Sequence, residues 1–226
     1  MSRRSKRGST LRELPLLIVS ALVLSVIVKT FFLQFFYIPS GSMENTLLIN
    51  DRVGVNKFGA LFSEIKRGEV VVFRDPAGWL SEPYDDSTGL SKIVKNSLVF
   101  VGILPDPSKQ YLIKRVIGVG GDQVTCCNKS DRIEVNGVEI IEPYIYPGDN
   151  PSDSKFDVKV PQGFIWVMGD HRGASADSRF HRDDPNGGMV PLDKVTGRAT
   201  FILWPIKNIK VLEVGADLAA IPISTP

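Results

Sequence analysis

Two hydroxyls and one amine are the groups in this chain that could together break a peptide bond. Ser40-Gly41-Ser42 lies in FFYIPSGSM (35–43), and Lys114 follows Ser42 by seventy-two residues, in YLIKRVIGVGGD (111–122). A serine hydroxyl is a weak nucleophile unless a base takes its proton during attack. A lysine amine serves as that base when burial strips its charge, and Leu112, Ile113, Val116 and Ile117 supply the apolar surroundings. Neighbouring side chains of a strand point to opposite faces, so Lys114 and Arg115 are expected to diverge, one inward and the other solvated. Gly41 permits close backbone approach to a substrate carbonyl and leaves amide N–H groups for an oxyanion. Each signal is weak alone: S-G-S is a common turn, and most lysines sit on the surface. Paired, they point to acyl transfer by serine and lysine in place of Ser-His-Asp.

A third segment, MGDHRGASADSR (168–179), is dense in small and hydrogen-bonding residues and follows the strand-like FIWV (164–167). Its plain reading is a polar turn with an Asp177–Arg179 ion pair. Its functional reading has Ser175 orienting the catalytic amine while that ion pair fixes the loop. His171 and His181 raise a rival, histidine as base with Asp170 or Asp177 as the acid. Triads occur in several chain orders, so order does not exclude it, but Ser42 lacks a G-x-S-x-G elbow.

The elements that must position these groups begin with an apolar run. LPLLIVSALVLSVIVKTFFLQFF (14–36) carries one charge, Lys29, and its proline, Pro15, falls in the first turn, where a helix tolerates it. As a helix it would span roughly 34 Å, against about 30 Å of hydrocarbon. Arg3, Arg4, Lys6, Arg7 and Arg12 precede it, the charge bias of a cytoplasmic flank. The alternative is a cleaved secretory signal, but the bulky Tyr37-Ile38-Pro39 follows where a small-residue site is needed. The expectation is a basic cytoplasmic tail (1–13), a transmembrane anchor (14–36), an extracytoplasmic catalytic domain (37–214) and a C-terminal tail (215–226).

Beyond the anchor the pattern alternates as strands do. Strands are expected near 51–56, 67–74, 111–119, 123–127, 155–160, 163–168, 197–204 and 209–214, with a hairpin over 132–140 turning at Asn136-Gly137. Residues 77–109 read as an irregular insertion, within which SLVFVGIL (97–104) is either a buried strand or a patch resting on lipid; 123–160 read as accessory strands. No other helical periodicity of useful length appears, so the fold class is mainly β. A net charge of +2 gives no argument for nucleic acid, and no motif implies a metal or other cofactor. Cys126 and Cys127 are adjacent, and either bond to each other, pair with another molecule or stay free.

IPSGSMENTL (38–47), RGEVVVFRDP (67–76), YLIKRVIGVGGD (111–122) and GDHRGASADSRF (169–180), in that order behind an apolar N-terminal segment, resemble the bacterial type I signal peptidases, membrane-bound serine proteases with a Ser/Lys dyad. The resemblance implies Ser42 as nucleophile, Lys114 as general base, and Ser40 assisting the Ser42 amide in an oxyanion hole. It also implies Ser175 orienting Lys114, with Asp177 and Arg179 bracing the loop. The implied fold is that shared with LexA-type proteases, and the implied partners are membrane lipid and secretory preproteins with small residues at −1 and −3. Ile38, Met43, Leu112 and Ile113 are candidates to line shallow pockets for such residues. The chain departs from the usual boxes at Glu44-Asn45, His171, Gly173 and Ala174. Two other functions remain for comparison: a non-catalytic tethered β domain that binds exported proteins, and a self-cleaving LexA-like regulator, which would need a DNA-binding domain ahead of the core.

Overall fold

A computed structural model of the chain describes residues 10–31, 33–80, 110–214, 218, 221 and 222. SLVFVGIL and all of the insertion beyond Leu80 lie outside them. Helix α1 (Thr10–Phe31) leads into strand β1 (Leu33–Tyr37), so the apolar run does not continue as helix to residue 36. The aromatic FFY sequence at its end suits a pleated surface, and all five residues of β1 pair with the next strand. Leu14, Leu16, Leu17, Ile18, Val19, Leu22, Val23 and Leu24 of α1 are exposed. Among the described residues no helix is long and apolar enough to cross a membrane.

After β1 the chain forms β2 (Arg52–Asn56), a short helix α2 (Lys57–Phe62), β3 (Val70–Arg74) and β4 (Tyr111–Val119). A small-sheet segment follows, with β5 (Gln123–Cys126), β6 (Glu134–Val135), β7 (Val138–Glu139) and β8 (Phe156–Lys159). Then come β9 (Phe164–Met168), β10 (Val190–Pro191), β11 (Val195–Trp204) and β12 (Lys210–Val211). Helix α2 lacks a visible sequence period. It forms because Asn56 caps it, its side chain accepting the Gly59 N–H at 3.0 Å.

The larger sheet runs β1-β2-β11-β3-β4-β9-β10 with β12 on β11, and every pairing is antiparallel. The smaller sheet runs β7-β6-β5-β8, and Asn136 and Gly137 make its hairpin turn with positive φ. Cys126 and Cys127 are bonded to each other at the end of β5. The core is divided by the larger sheet. One cluster (Ile38, Met43, Leu47, Val53, Val55, Val70, Val72) lies on one face of β3, and another (Val71, Phe73, Trp79, Leu112, Val116, Val167) on the other. A third fills the smaller sheet and takes in Leu218 and Ile221, so part of the expected C-terminal tail is core. It is locked there by a buried ion pair: Arg67 binds Asp122 at 2.5 Å and donates to the Ile221 carbonyl at 2.6 Å.

Candidate active site

Lys114 occupies the middle of β4, opposite Val71 of β3. Pleat alternation puts it on the face of Leu112 and Val116, and only 4 % of it is exposed. Burial lowers its pKa to about 8; the carboxylates of Asp177 and Asp170 oppose that fall, and Arg179 assists it. About a tenth of the amine is therefore neutral at pH 7, several hundred times the share of an ordinary lysine. Arg115 does diverge from it but is not solvated. At 2 % exposure it is held between Asp170, at 2.7 Å and 2.9 Å, and the Gly68 carbonyl, with its guanidinium over the Tyr144 ring. A buried guanidinium is tolerated because every side of it meets an acceptor or an aromatic face.

Ser42 lies in the turn between β1 and β2. The turn is built by Ile38 pairing with Asp51 and Asn50, by the Glu44 N–H on the Gly41 carbonyl, and by Asn45 in the left-handed region at φ 81°. Asparagine tolerates that conformation better than most residues. Its side chain donates to the Tyr144 and Ile145 carbonyls at 3.1 Å and 3.0 Å. The result brings the Ser42 hydroxyl to the amine: Lys114 Nζ stands 2.6 Å from Ser42 Oγ, and Ser40 Oγ is 3.5 Å from the same oxygen.

The third wall is the loop after β9. Gly169 sits where backbone meets backbone, since a Cβ there would stand 2.3 Å from Ser175 Oγ and 2.5 Å from the Ser42 carbonyl oxygen. Burial would raise the Asp177 carboxyl, yet Arg179, the Gly169 N–H and Ser175 together hold it below the usual carboxylate range. Arg179 grips it at 2.9 Å and donates to the Arg172 carbonyl. Ser175 Oγ is buried beside this group without a well-formed hydrogen bond and makes none to Lys114. The orienting contact expected of Ser175 is thus absent here.

Both histidines are engaged away from the Ser42 hydroxyl. His171 Nδ1 lies 3.3 Å from the Gly41 carbonyl oxygen and 3.2 Å from Glu44 Oε2. His181 stacks on Trp79 and pairs with Asp184. Asp170 serves Arg115 and Thr46, and Asp177 serves Arg179. Among the described residues no Ser-His-Asp array is assembled. Of the candidate pocket residues, Ile38 and Met43 share one core cluster with Ile113 packed against it, whereas Leu112 belongs to the cluster on the other face of β4.

Sequence reading missed a strap over residues 142–151, which ties the serine turn to the loop after β9. Glu142 bridges to buried Arg172 at 2.5 Å. The Tyr146 N–H donates to the Asp170 carbonyl, its ring stacks on His171, and Asp149 accepts the Gly173 N–H. The signal present was composition alone: EPYIYPGDNP concentrates aromatics, acids and turn formers without a strand period.

The chain matches the family model described as "Signal peptidase, peptidase S26" over residues 11–204. It is 40 % identical over 231 residues to the signal peptidase I of Mycobacterium tuberculosis (strain CDC 1551 / Oshkosh), covering 89 % of this chain and 75 % of that one. It is 38 % identical over 229 residues to a probable signal peptidase I of Mycobacterium leprae (strain TN), covering 88 % and 78 %. A crystal structure of a signal peptidase I from Enterococcus faecalis V583 is 22 % identical and covers 61 % of this chain and 98 % of its own, at a TM-score of 0.39. That overlap is too loose to argue from, and the mainly β assignment rests on the strand order itself.

Proposed function

The chain belongs to the signal peptidase family, peptidase S26, and from that premise we propose that it removes signal peptides from secretory preproteins with Ser42 as nucleophile and Lys114 as general base. It is an enzyme, a serine peptidase of the signal peptidase I type. The observation that carries the residue assignment is the 2.6 Å contact between two buried groups, Lys114 Nζ and Ser42 Oγ. In the cycle we infer, neutral Lys114 takes the Ser42 proton as Oγ bonds to the scissile carbonyl carbon. The oxyanion meets the Ser42 N–H with Ser40 beside it. The Lys114 ammonium then protonates the leaving amine as the C–N bond breaks. Water, deprotonated by the same amine, attacks the acyl-serine and frees the enzyme. Asp177 and Arg179 act by holding the wall behind Lys114, and Ser175 by filling the space between that wall and Gly169.

Ile38, Met43, Leu112 and Ile113 are our candidates to line pockets for small side chains at −1 and −3, Leu112 from the face of β4 that carries Lys114 and the other three from the cluster on its opposite face. Attachment to a membrane through the apolar N-terminal segment, with the basic end cytoplasmic and the β domain outside, is our reading of its exposed leucines, isoleucine and valines. Apolar surface of that kind favours lipid over water. Such a tether would hold enzyme and substrate at one surface and raise their effective concentration.

The test is cleavage of a purified preprotein in detergent. Wild type is expected to cut, while Ser42→Ala and Lys114→Met are folded and inactive. Activity surviving in Lys114→Met would end the lysine reading, and a folded wild type that cuts nothing would favour a binding role.

A further inference from the structure

His171 touches the serine turn twice without touching the hydroxyl. Its backbone N–H donates to the Ser42 carbonyl at 3.2 Å, and its Nδ1 lies 3.3 Å from the Gly41 carbonyl oxygen. The second neighbour of Nδ1 is Glu44 Oε2 at 3.2 Å, so both groups facing it are acceptors and Nδ1 carries the hydrogen. The ring is held in this pose from two more sides. Tyr146 stacks on it at 4.0 Å with 15° between planes, and Asp149 Oδ2 faces Nε2 at 3.9 Å. Asp149 is itself fixed by the Gly173 N–H at 3.0 Å.

The peptide gripped through Gly41 is the one whose other end is the Ser42 N–H. In a planar trans peptide, C=O and N–H point in opposite directions. Pinning the Gly41 oxygen toward His171 therefore turns the Ser42 N–H the opposite way. That N–H donates to no group among the described residues, as befits a donor kept for a ligand. The Glu44 N–H alone, at 2.9 Å, also binds the Gly41 oxygen, but it belongs to the same turn and moves with it. His171 is the tie to the rigid wall after β9.

We propose that His171 is a positioning residue for the oxyanion hole: by holding the Gly41 carbonyl it aims the Ser42 amide N–H at the oxygen of the scissile bond. This rests on Ser42 being the nucleophile. The role differs from that of a base, since no proton of the reaction passes through the imidazole. Its signature is a defect concentrated in the transition state, because the aimed N–H gains most once negative charge develops on the carbonyl oxygen.

The test uses the full chain in detergent with a peptide spanning an Ala-x-Ala cleavage site, and with the matching peptide aldehyde, whose adduct with serine carries the oxyanion. His171→Phe keeps the ring stack and removes the donor, whereas His171→Asn restores a side-chain N–H. Losing an oxyanion donor outright costs about 10²–10³ in kcat, so misaiming one is expected to cost His171→Phe roughly tenfold, with KM within about twofold. Aldehyde affinity should fall by the same factor, and His171→Asn should recover most of both. If His171→Phe does not fold, His171→Ala with added imidazole takes its place, and rescue of kcat is the expected result. Full kcat in the folded Phe variant, a loss seen only in KM, or unchanged aldehyde affinity beside a reduced kcat would each overturn the proposal. Ser42→Ala run in parallel separates the two layers. If it still cuts, the nucleophile assignment has failed; if it is dead while the Phe variant is unimpaired, only the role of His171 has.

Discussion

On the proposed reading, Lys114 sets the pH behaviour of the enzyme. With its pKa lowered to about 8, kcat/KM should climb about tenfold per pH unit below that value and level off above it. A pH–rate profile flat down to pH 5 would refute the assignment. The same burial affects stability. The unfolded chain keeps the proton up to about pH 10.5 and the folded one only to about 8, so folding is penalised below 8 and the penalty is relieved between the two values. Its full size is roughly 3 kcal/mol from those pKa values. Lys114→Met should therefore melt no lower than wild type at pH 6 despite being inactive, as calorimetry would reveal. Asp177→Asn removes a charge that raises the Lys114 pKa and leaves Arg179, which lowers it. Any residual activity should have its acid limb moved to lower pH, while the unpaired guanidinium costs about 3–5 kcal/mol of stability.

At the scale of elements, the site depends on three segments meeting, and two of them were legible in the sequence. β4 and β9 announced themselves by β-branched runs, and the small-sheet hairpin by Asn136-Gly137. β1 was hidden because its residues continue an apolar run that also reads as helix; pairing with β2 decides its state. Helix α2 rests on one cap, and β10 is two residues long, too short for any period. Ser42 and Lys114 were readable as a pair, but the burial of Arg115 and the strap over 142–151 were not. Both depend on partners far along the chain, Asp170 for the first and Arg172 for the second. Two consequences belong here. Glu142→Gln leaves Arg172 buried without its carboxylate and should cost about 3–5 kcal/mol, read as a lower Tm. Gly169→Ala drives a methyl against Ser175 Oγ and the Ser42 carbonyl, so activity should collapse by far more than stability, which overpacking lowers by about 1–3 kcal/mol.

For the whole molecule, the tether we propose would lie apart from the β domain we propose to be catalytic. Helix α1 feeds β1, an edge strand of the larger sheet, and the reactive turn follows that strand directly. Removing residues 1–31 should leave cleavage of a short soluble peptide within about threefold while sharply reducing processing of a membrane-inserted preprotein, since only the second reaction uses co-localisation. Equal losses on both substrates would show that the segment supports the fold instead.

The lock between Arg67, Asp122 and the carbonyl of Ile221 also orders which parts of the fold can close as the chain is made. The serine turn emerges early in synthesis and its amine seventy-two residues later, but the guanidinium that steadies the start of β3 finds its last acceptor only once Ile221 has arrived. The Asn136 side chain likewise waits for the carbonyl of Pro222. A chain threaded out in order would thus carry both reactive groups before its smaller core can close. Closure of the smaller core thus waits on residues far downstream of the pair proposed to react.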